Sequence, residues 1–211
     1  MKYYPINITL ENKKCVVLGA GIVALRKIKR LLECGSRVSV VAEEISPQLK
    51  ELLKQKKNIF INKKASLNDL KGAYLVVAAT NDRKLNALVS AYCLKKNILV
   101  NVVDSPGECS FILPAVFRRG NLAISVSTDG LSPALARKIR RELQKKFGFE
   151  YARLLQLLKK IRPQALKKIK NLRQRNIFFQ KIFQPEILDF LKKNKLVQAR
   201  KKIGEYLKDA Q

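Results

Sequence analysis

Apolar residues follow two rhythms along the chain. In the first half, short β-branched runs alternate with stretches of helical periodicity, the pattern of strands and crossover helices on a parallel sheet. The runs predict strands at Lys14–Leu18, Arg37–Val41, Asn58–Asn62, Tyr74–Ala78 and Ile98–Val102. Several are apolar at consecutive positions, as expected of strands covered on both faces. Between them, helices are predicted over Val23–Glu33, Pro47–Lys56 and Leu85–Lys95, with a short turn at Leu67–Leu70. Two more β-prone runs, Phe111–Leu113 and Leu122–Ser127, flank a turn containing Arg118, Arg119 and Gly120. From Ser132 the rhythm is helical. Ser132-Pro133 is a good helix start, pairing a capping hydroxyl with proline at the first helical position, and Gly148 closes that helix after Phe147. Leu154, Leu155, Leu158 and Ile161 repeat ahead of Pro163, and Ile177, Phe178, Ile182 and Phe183 ahead of Pro185. With Ile187, Leu188, Leu191, Val197, Ile203 and Leu207 beyond, the pattern reads as a three- or four-helix tail.

Composition narrows the chemistry. At 211 residues and 47% hydrophobic, the chain has room for one ordinary domain or two small ones, and its apolar runs fall short of a bilayer span. The opening MKYYPINITLENKK lacks the apolar stretch and cleavage site of a secretory leader, so residence in the cytoplasm is expected. There is no histidine, which excludes His-based metal sites, His general bases and Ser-His-Asp triads. The four cysteines, Cys15, Cys34, Cys93 and Cys109, form no CxxC pair, and no stably bound metal is expected. The net charge of +28 is weighted toward residues 114–211. It suits a polyanionic partner or a solvated lysine-rich surface.

The segment Cys15-Val16-Val17-Leu18-Gly19-Ala20-Gly21-Ile22-Val23-Ala24 runs a hydrophobic strand into G-x-G-x-x-A. Gly19 permits the tight turn, Gly21 lets backbone approach a pyrophosphate, and Ala24 lets helix pack on strand. The helix N-terminus presents the N–H groups of Ile22 and Val23 to phosphates. The second strand leads to Glu43 and Glu44, where a carboxylate accepts hydrogen bonds from a ribose and repels a 2′-phosphate, favouring NAD over NADP; both also suit a solvated loop. After the fourth predicted strand, Thr80 and Asn81 lie at the sheet edge where such folds bind ligands, and with Asp82 they equally suit helix caps. The fifth predicted strand delivers Asp104, followed by Ser105-Pro106-Gly107-Glu108-Cys109-Ser110-Phe111. In a chain without histidine this carboxylate is the best-placed proton acceptor, or else it holds a turn before Pro106.

Five motifs in order, GAGIVALRK, VVAEEISPQL, VVAATND, NVVDSPGECSFILPAV and AISVSTDGLSPALARKIRREL, resemble the precorrin-2 dehydrogenase / sirohydrochlorin ferrochelatase family, the N-terminal module of siroheme synthase. The resemblance spans the chain, densest up to Phe147. It implies an α/β fold in three parts: a Rossmann-like NAD-binding domain over 1–113, a short dimerisation region over 114–147, and an all-helical C-terminal domain over 148–211. It also implies a homodimer that oxidises precorrin-2 to sirohydrochlorin with NAD, with insertion of ferrous iron by some members. Asp104 matches the residue that chemistry requires. Fused relatives carry a methyltransferase module after this region, and since the sequence stops at Gln211 that activity is not expected. The motif around Ser127, Thr128, Asp129 and Gly130 usually carries two glycines, the first replaced here by Asp129.

A tetrapyrrole rich in carboxylates fits a basic cleft. Arg118, Arg119 and Arg137, with Arg140 and Arg141, are candidate carboxylate contacts by two-pronged pairing, alongside Ser127 and Thr128. Solvated helix faces would hold the same arginines. Two other readings use the same features: a regulatory module that senses NAD without catalysis, and a nucleic-acid binder using the basic tail. No helix-turn-helix or RNA-binding signature supports the latter, and neither nucleic acid nor membrane is expected as a partner.

Overall fold

A computed structural model describes residues 3–56, 58–62 and 66–210; Met1, Lys2 and Gln211 of the terminal segments discussed above lie outside them. Two compact units result, Met1–Leu113 and Pro114–Gln211. In the first, β1 (Lys14–Leu18), β2 (Arg37–Val41), β3 (Ile59–Asn62), β4 (Leu75–Ala78) and β5 (Leu99–Val102) form a parallel sheet in the order β3-β2-β1-β4-β5. Side-chain alternation splits each strand between two cores. Cys15, Val17, Leu75 and Val77 join Ala24 and Ile28 of α1 (Ile22–Glu33) and Leu49 of α2 (Pro47–Gln55). Val16, Leu18, Val76 and Ala78 join Val89 and Cys93 of α3 (Arg83–Lys95). The strands are therefore apolar on both faces, which is why they read as runs rather than alternations.

The sheet order places the functional edge. From β1 the chain winds outward to β3, then returns to β4 on the other side of β1. Winding reverses between β1 and β4, the place at which open α/β sheets form a ligand crevice outside the carboxyl ends of their strands. Of the three α-helices that start at this edge, two are capped by side chains. Ser46 Oγ accepts the Leu49 N–H at 3.3 Å and Asp82 Oδ1 accepts the Leu85 N–H at 3.0 Å, whereas α1 starts from Gly21 with no side-chain cap and no acidic residue in its first turn.

In the second unit, β6 (Ala115–Arg119) and β7 (Leu122–Val126) form an antiparallel hairpin, followed by α4 (Pro133–Lys146), α5 (Phe149–Lys168), α6 (Leu172–Lys181), α7 (Pro185–Lys192) and α8 (Leu196–Asp209). Three expectations are corrected here. Phe111–Leu113 is not a strand, because Phe111 packs against the first unit's core and its carbonyl accepts Asn101 Nδ2 at 3.2 Å. Arg118 and Arg119 lie on β6, opposite Ala123 and Leu122, and the turn contains only Gly120 and Asn121. Pro163 sits inside α5 rather than beyond its end. Leu154 before it and Ala165 after it enter the same buried cluster with Phe178, Ile187 and Ile203. Burial on both sides of an exposed proline outweighs the missing backbone hydrogen bond. Among the described residues no helix is long and apolar enough to cross a membrane.

Cys93 is fully buried, and desolvation raises its thiol pKa from 9.0 to about 11. The folded state thus holds a proton that the unfolded chain gives up earlier. Its contribution to stability is intact below 9.0 and fades as pH rises through about 11. Urea midpoints measured at pH 8 and pH 10 should fall less for Cys93→Ala than for the unsubstituted protein; equal declines would show that the buried thiol carries no part of the alkaline loss. Native protein at pH 8 should also leave Cys93 unmodified by iodoacetamide until denaturant is added.

Candidate functional site

The crevice is shaped by its first glycine. Gly19 has φ +100°, a conformation L side chains rarely adopt, and a Cβ there would lie 2.9 Å from the Ala79 carbonyl carbon. Its N–H donates to Val41 O at 2.8 Å and the Ala79 N–H donates to Leu18 O at 2.9 Å. The β1 turn is thereby fastened to β2 on one side and β4 on the other. Gly21 differs: a Cβ added there meets nothing within 4 Å, so its absence leaves open space at the start of α1. Ile22 is 80% exposed at the same helix start, while Ala24 is fully buried and brings α1 down onto the sheet. An uncapped helix N-terminus, an open backbone approach and an apolar side chain beside it fit the pyrophosphate and neighbouring moieties of a dinucleotide.

Other residues expected at this site fall along the same carboxyl edge. Glu43 and Glu44 are exposed just beyond β2. Asn81 is exposed after β4. Thr80 has a structural engagement: its hydroxyl donates to Asn86 Oδ1 at 2.7 Å, and Asn86 Nδ2 donates to Thr80 O at 3.0 Å. Thr80 Oγ1 also accepts the Asp82 N–H at 3.2 Å, so this side chain builds the α3 cap.

Asp104 follows β5 with φ +60°, a left-handed conformation that aspartate tolerates better than most residues. Its side chain is exposed. The adjacent Val103 N–H donates to Ala78 O at 2.9 Å, continuing the β4–β5 ladder one residue past the strand. On α1, Lys27 is half-buried, and its ammonium is held below the usual lysine range. Burial is the main cause, followed by repulsion from Arg30 and Arg26, with Asp104 and Cys109 drawing it back. Among the described residues, no three Cys, Asp or Glu side chains gather as metal ligands.

The loop after Asp104 is stitched to the sheet by residues that sequence reasoning passed over. Ser110 Oγ accepts the Val100 N–H at 2.8 Å, Ser90 Oγ donates to Glu108 O at 2.6 Å, and the Cys109 thiol lies against Val102 and Ser105. The available signal was Asn101, an amide in an apolar strand. It is buried, with its Nδ2 3.6 Å from Cys109 Sγ.

The remaining candidates lie in the second unit. Ser127, Thr128, Asp129 and Gly130 form a turn in which Ser127 Oγ accepts the Asp129 N–H at 3.2 Å and Thr128 Oγ1 accepts the Ser132 N–H at 3.0 Å. Asp129 has φ +51°, a left-handed conformation more usual for glycine. Arg118 is exposed on β6. Arg119 is engaged internally: its guanidinium lies 4.8 Å from the Phe149 ring centroid, and Nη1 donates to Arg118 O at 3.3 Å. Arg137 is exposed on α4 beside Lys138, Arg141 and Lys145, with Glu142 at the edge of this basic groove. Arg140 hydrogen-bonds Gln144 within α4.

Sequence comparison agrees with this layout. The model for NAD(P)-binding domains matches residues 6–115, that for the sirohaem biosynthesis protein central region matches 119–146, and that for the sirohaem synthase dimerisation region matches 150–207. The dimerisation match thus falls beyond the 114–147 stretch expected for that role. The first unit is an NAD(P)-binding domain of the doubly wound α/β class. The chain belongs to the family formed by precorrin-2 dehydrogenases and the N-terminal module of siroheme synthases. Among its relatives, siroheme synthase of Stutzerimonas stutzeri is 36% identical over 98% of this chain and 44% of its own length. Siroheme synthase of Vesicomyosocius okutanii is 34% identical over 95% of this chain and 43% of its own length. The chain therefore spans less than half of these curated relatives. The solved structure of SirC, precorrin-2 dehydrogenase, superposes with TM-score 0.78 at 27% identity, covering 95% of this chain and all of that one.

The two glycines make separable predictions. Gly19→Ala forces a side chain into a left-handed site against β4 and should destabilise the fold by roughly 1–3 kcal/mol from backbone strain alone. Gly21→Ala should leave the melting temperature unchanged while weakening nicotinamide dinucleotide binding by about tenfold or more, a loss of about 1.4 kcal/mol. Calorimetric melting and titration of both variants check the pair. Intact dinucleotide affinity in folded Gly21→Ala would show that the open approach is not where the pyrophosphate sits.

Proposed function

We propose that this chain oxidises precorrin-2 to sirohydrochlorin in siroheme biosynthesis, as a cytoplasmic homodimer with NAD as its cofactor. The observation that carries the reading is the placement of Asp104 one residue past the β5 extension, on the same sheet edge as the open Gly21 approach. Gly19, Gly21, Ile22 and Val23 would hold the dinucleotide by backbone and helix N-terminus. Glu43 would accept the ribose hydroxyls and disfavour a 2′-phosphate, which supports NAD over NADP. When bound, the nicotinamide supplies the hydride acceptor.

The protein's own part is proton transfer and substrate binding. As hydride departs from a ring carbon of precorrin-2, the Asp104 carboxylate takes the accompanying proton. Its exposed position leaves it open to a large substrate. Arg118 and Arg137 are the arginines best suited to the substrate carboxylates, because their side chains are exposed, whereas Arg119 is held by Phe149 and backbone carbonyls. Ser127 and Thr128 would add hydroxyl contacts. Dimer contacts are assigned to the second unit, where the sirohaem synthase dimerisation region matches residues 150–207.

The carboxylate also suits removal of pyrrole protons as ferrous iron enters sirohydrochlorin, and we extend the proposal to that step. Anaerobic siroheme formation above the spontaneous background checks it. For the oxidation, Asp104→Asn should keep NAD affinity within twofold and lower turnover of precorrin-2 by about 10²- to 10⁴-fold, the usual worth of a positioned base. Turnover followed by the absorbance of sirohydrochlorin is the measurement. An undiminished rate would leave an NAD-sensing module without catalysis as the better account.

A further inference from the structure

Cys109 is the one thiol whose sulfur is built into the backbone around Asp104. Its Sγ accepts the Val102 N–H at 3.1 Å and lies 3.6 Å from Asn101 Nδ2. Its S–H lies within reach of two carbonyl oxygens, Val102 O at 3.3 Å and Ser105 O at 3.2 Å. These contacts bracket Asp104 on both sides in sequence. Between them the backbone makes its left-handed step at Asp104, closed by a long Ser105 N–H to Val102 O bond of 3.4 Å. At that length the turn bond is weak. The sulfur adds support from inside the loop, and Ser110 secures the cysteine's own neighbour to Val100.

We propose that Cys109 is a positioning residue: its thiol holds the Val102–Ser105 turn in the conformation that presents the Asp104 carboxylate. The inference rests on the reading of Asp104 as the proton acceptor. Sulfur suits the role because it is large and polarisable, and one atom makes contacts of 3.1–3.6 Å to both ends of the turn. Its hydrogen bonds are weak individually. Four contacts converge on one atom, so removing that atom releases both ends of the turn together.

The test uses the full chain with four variants: Cys109→Ala, Cys109→Ser, Asp104→Asn and the double variant Asp104→Asn/Cys109→Ala. Cys109→Ala should lower kcat for precorrin-2 oxidation by about 10- to 100-fold, the scale on which small misplacement of a reacting group acts. NAD affinity should stay within twofold. Cys109→Ser, which keeps a donor and an acceptor, should recover at least half of that loss on a logarithmic scale. Adding Cys109→Ala to Asp104→Asn should cost less than a further twofold, because a residue that acts through Asp104 has nothing left to position. Amide hydrogen exchange of the unliganded protein gives an independent readout: in Cys109→Ala the segment 101–106 should exchange faster while α3 keeps its protection.

Three results would overturn the inference: a Cys109→Ala variant with full kcat, an equal loss in the Asp104→Asn background, or unchanged exchange over 101–106. In each of these the Asp104 reading survives if Asp104→Asn alone is inactive. If Asp104→Asn turns over at the full rate, the proton-acceptor reading falls and takes the positioning role with it.

Discussion

The site depends on two stretches of backbone lying closer than any side chain would permit. Gly19 rests against the Ala79 carbonyl at the point where the sheet reverses its winding. This contact keeps the β1 turn low beside β4, and so lets α1 begin right at the carboxyl edge with its first N–H groups facing outward. A bulkier residue would lift the turn and tilt the helix start away. The adjacent strands need only be apolar and of suitable length to form the sheet, and many sequences meet that requirement. The glycine turn against β4 is narrower, and it is what converts a parallel sheet into a surface that receives phosphates.

The opposite side of the crevice is organised by different means. Where β1 relies on a missing side chain, the segment after β5 relies on small polar ones. Ser90, Ser110, Asn101 and Cys109 each bond to backbone, and Asn101 Nδ2 also lies 3.6 Å from Cys109 Sγ. The result is a loop whose polar groups have partners within a short radius, while Val103, Cys109 and Phe111 pack on the cores. An exposed carboxylate gains a defined position in this way while staying open to a substrate.

Much of this was legible in the chain. The strands were plain because each is buried on two faces, so apolar runs marked them whatever the tertiary detail. The glycine loop carried its own geometry in its spacing. Other features were hidden for physical reasons. Pro163 argues locally for a helix end, and only the shared core reached by Leu154 and Ala165 shows why the helix continues. Phe111–Leu113 has strand-forming residues but gives its hydrogen bonding to Asn101 instead of a neighbouring strand. Thr80 and Cys109 illustrate the limit for sites. A hydroxyl at a ligand edge and a lone thiol are ambiguous until their partners are seen, and here the hydroxyl serves the fold while the thiol borders the candidate base. The arginines were indistinguishable in sequence, since burial by aromatic rings is what separates Arg119 from Arg118.

That aromatic packing also bears on how the second unit hangs together. Arg119 ends β6 yet stacks on Phe149 at the start of α5, its Nη2 3.5 Å from Gln144 O, and Gly120 passes so near Ala152 that an added methyl would stand 3.3 Å away. Hairpin and helical tail are thus riveted across the boundary at residues 147–148 by a cation whose Nε is buried. A fragment cut at that seam would strand the guanidinium and bare the ring, so the portable piece of this half is the whole of it.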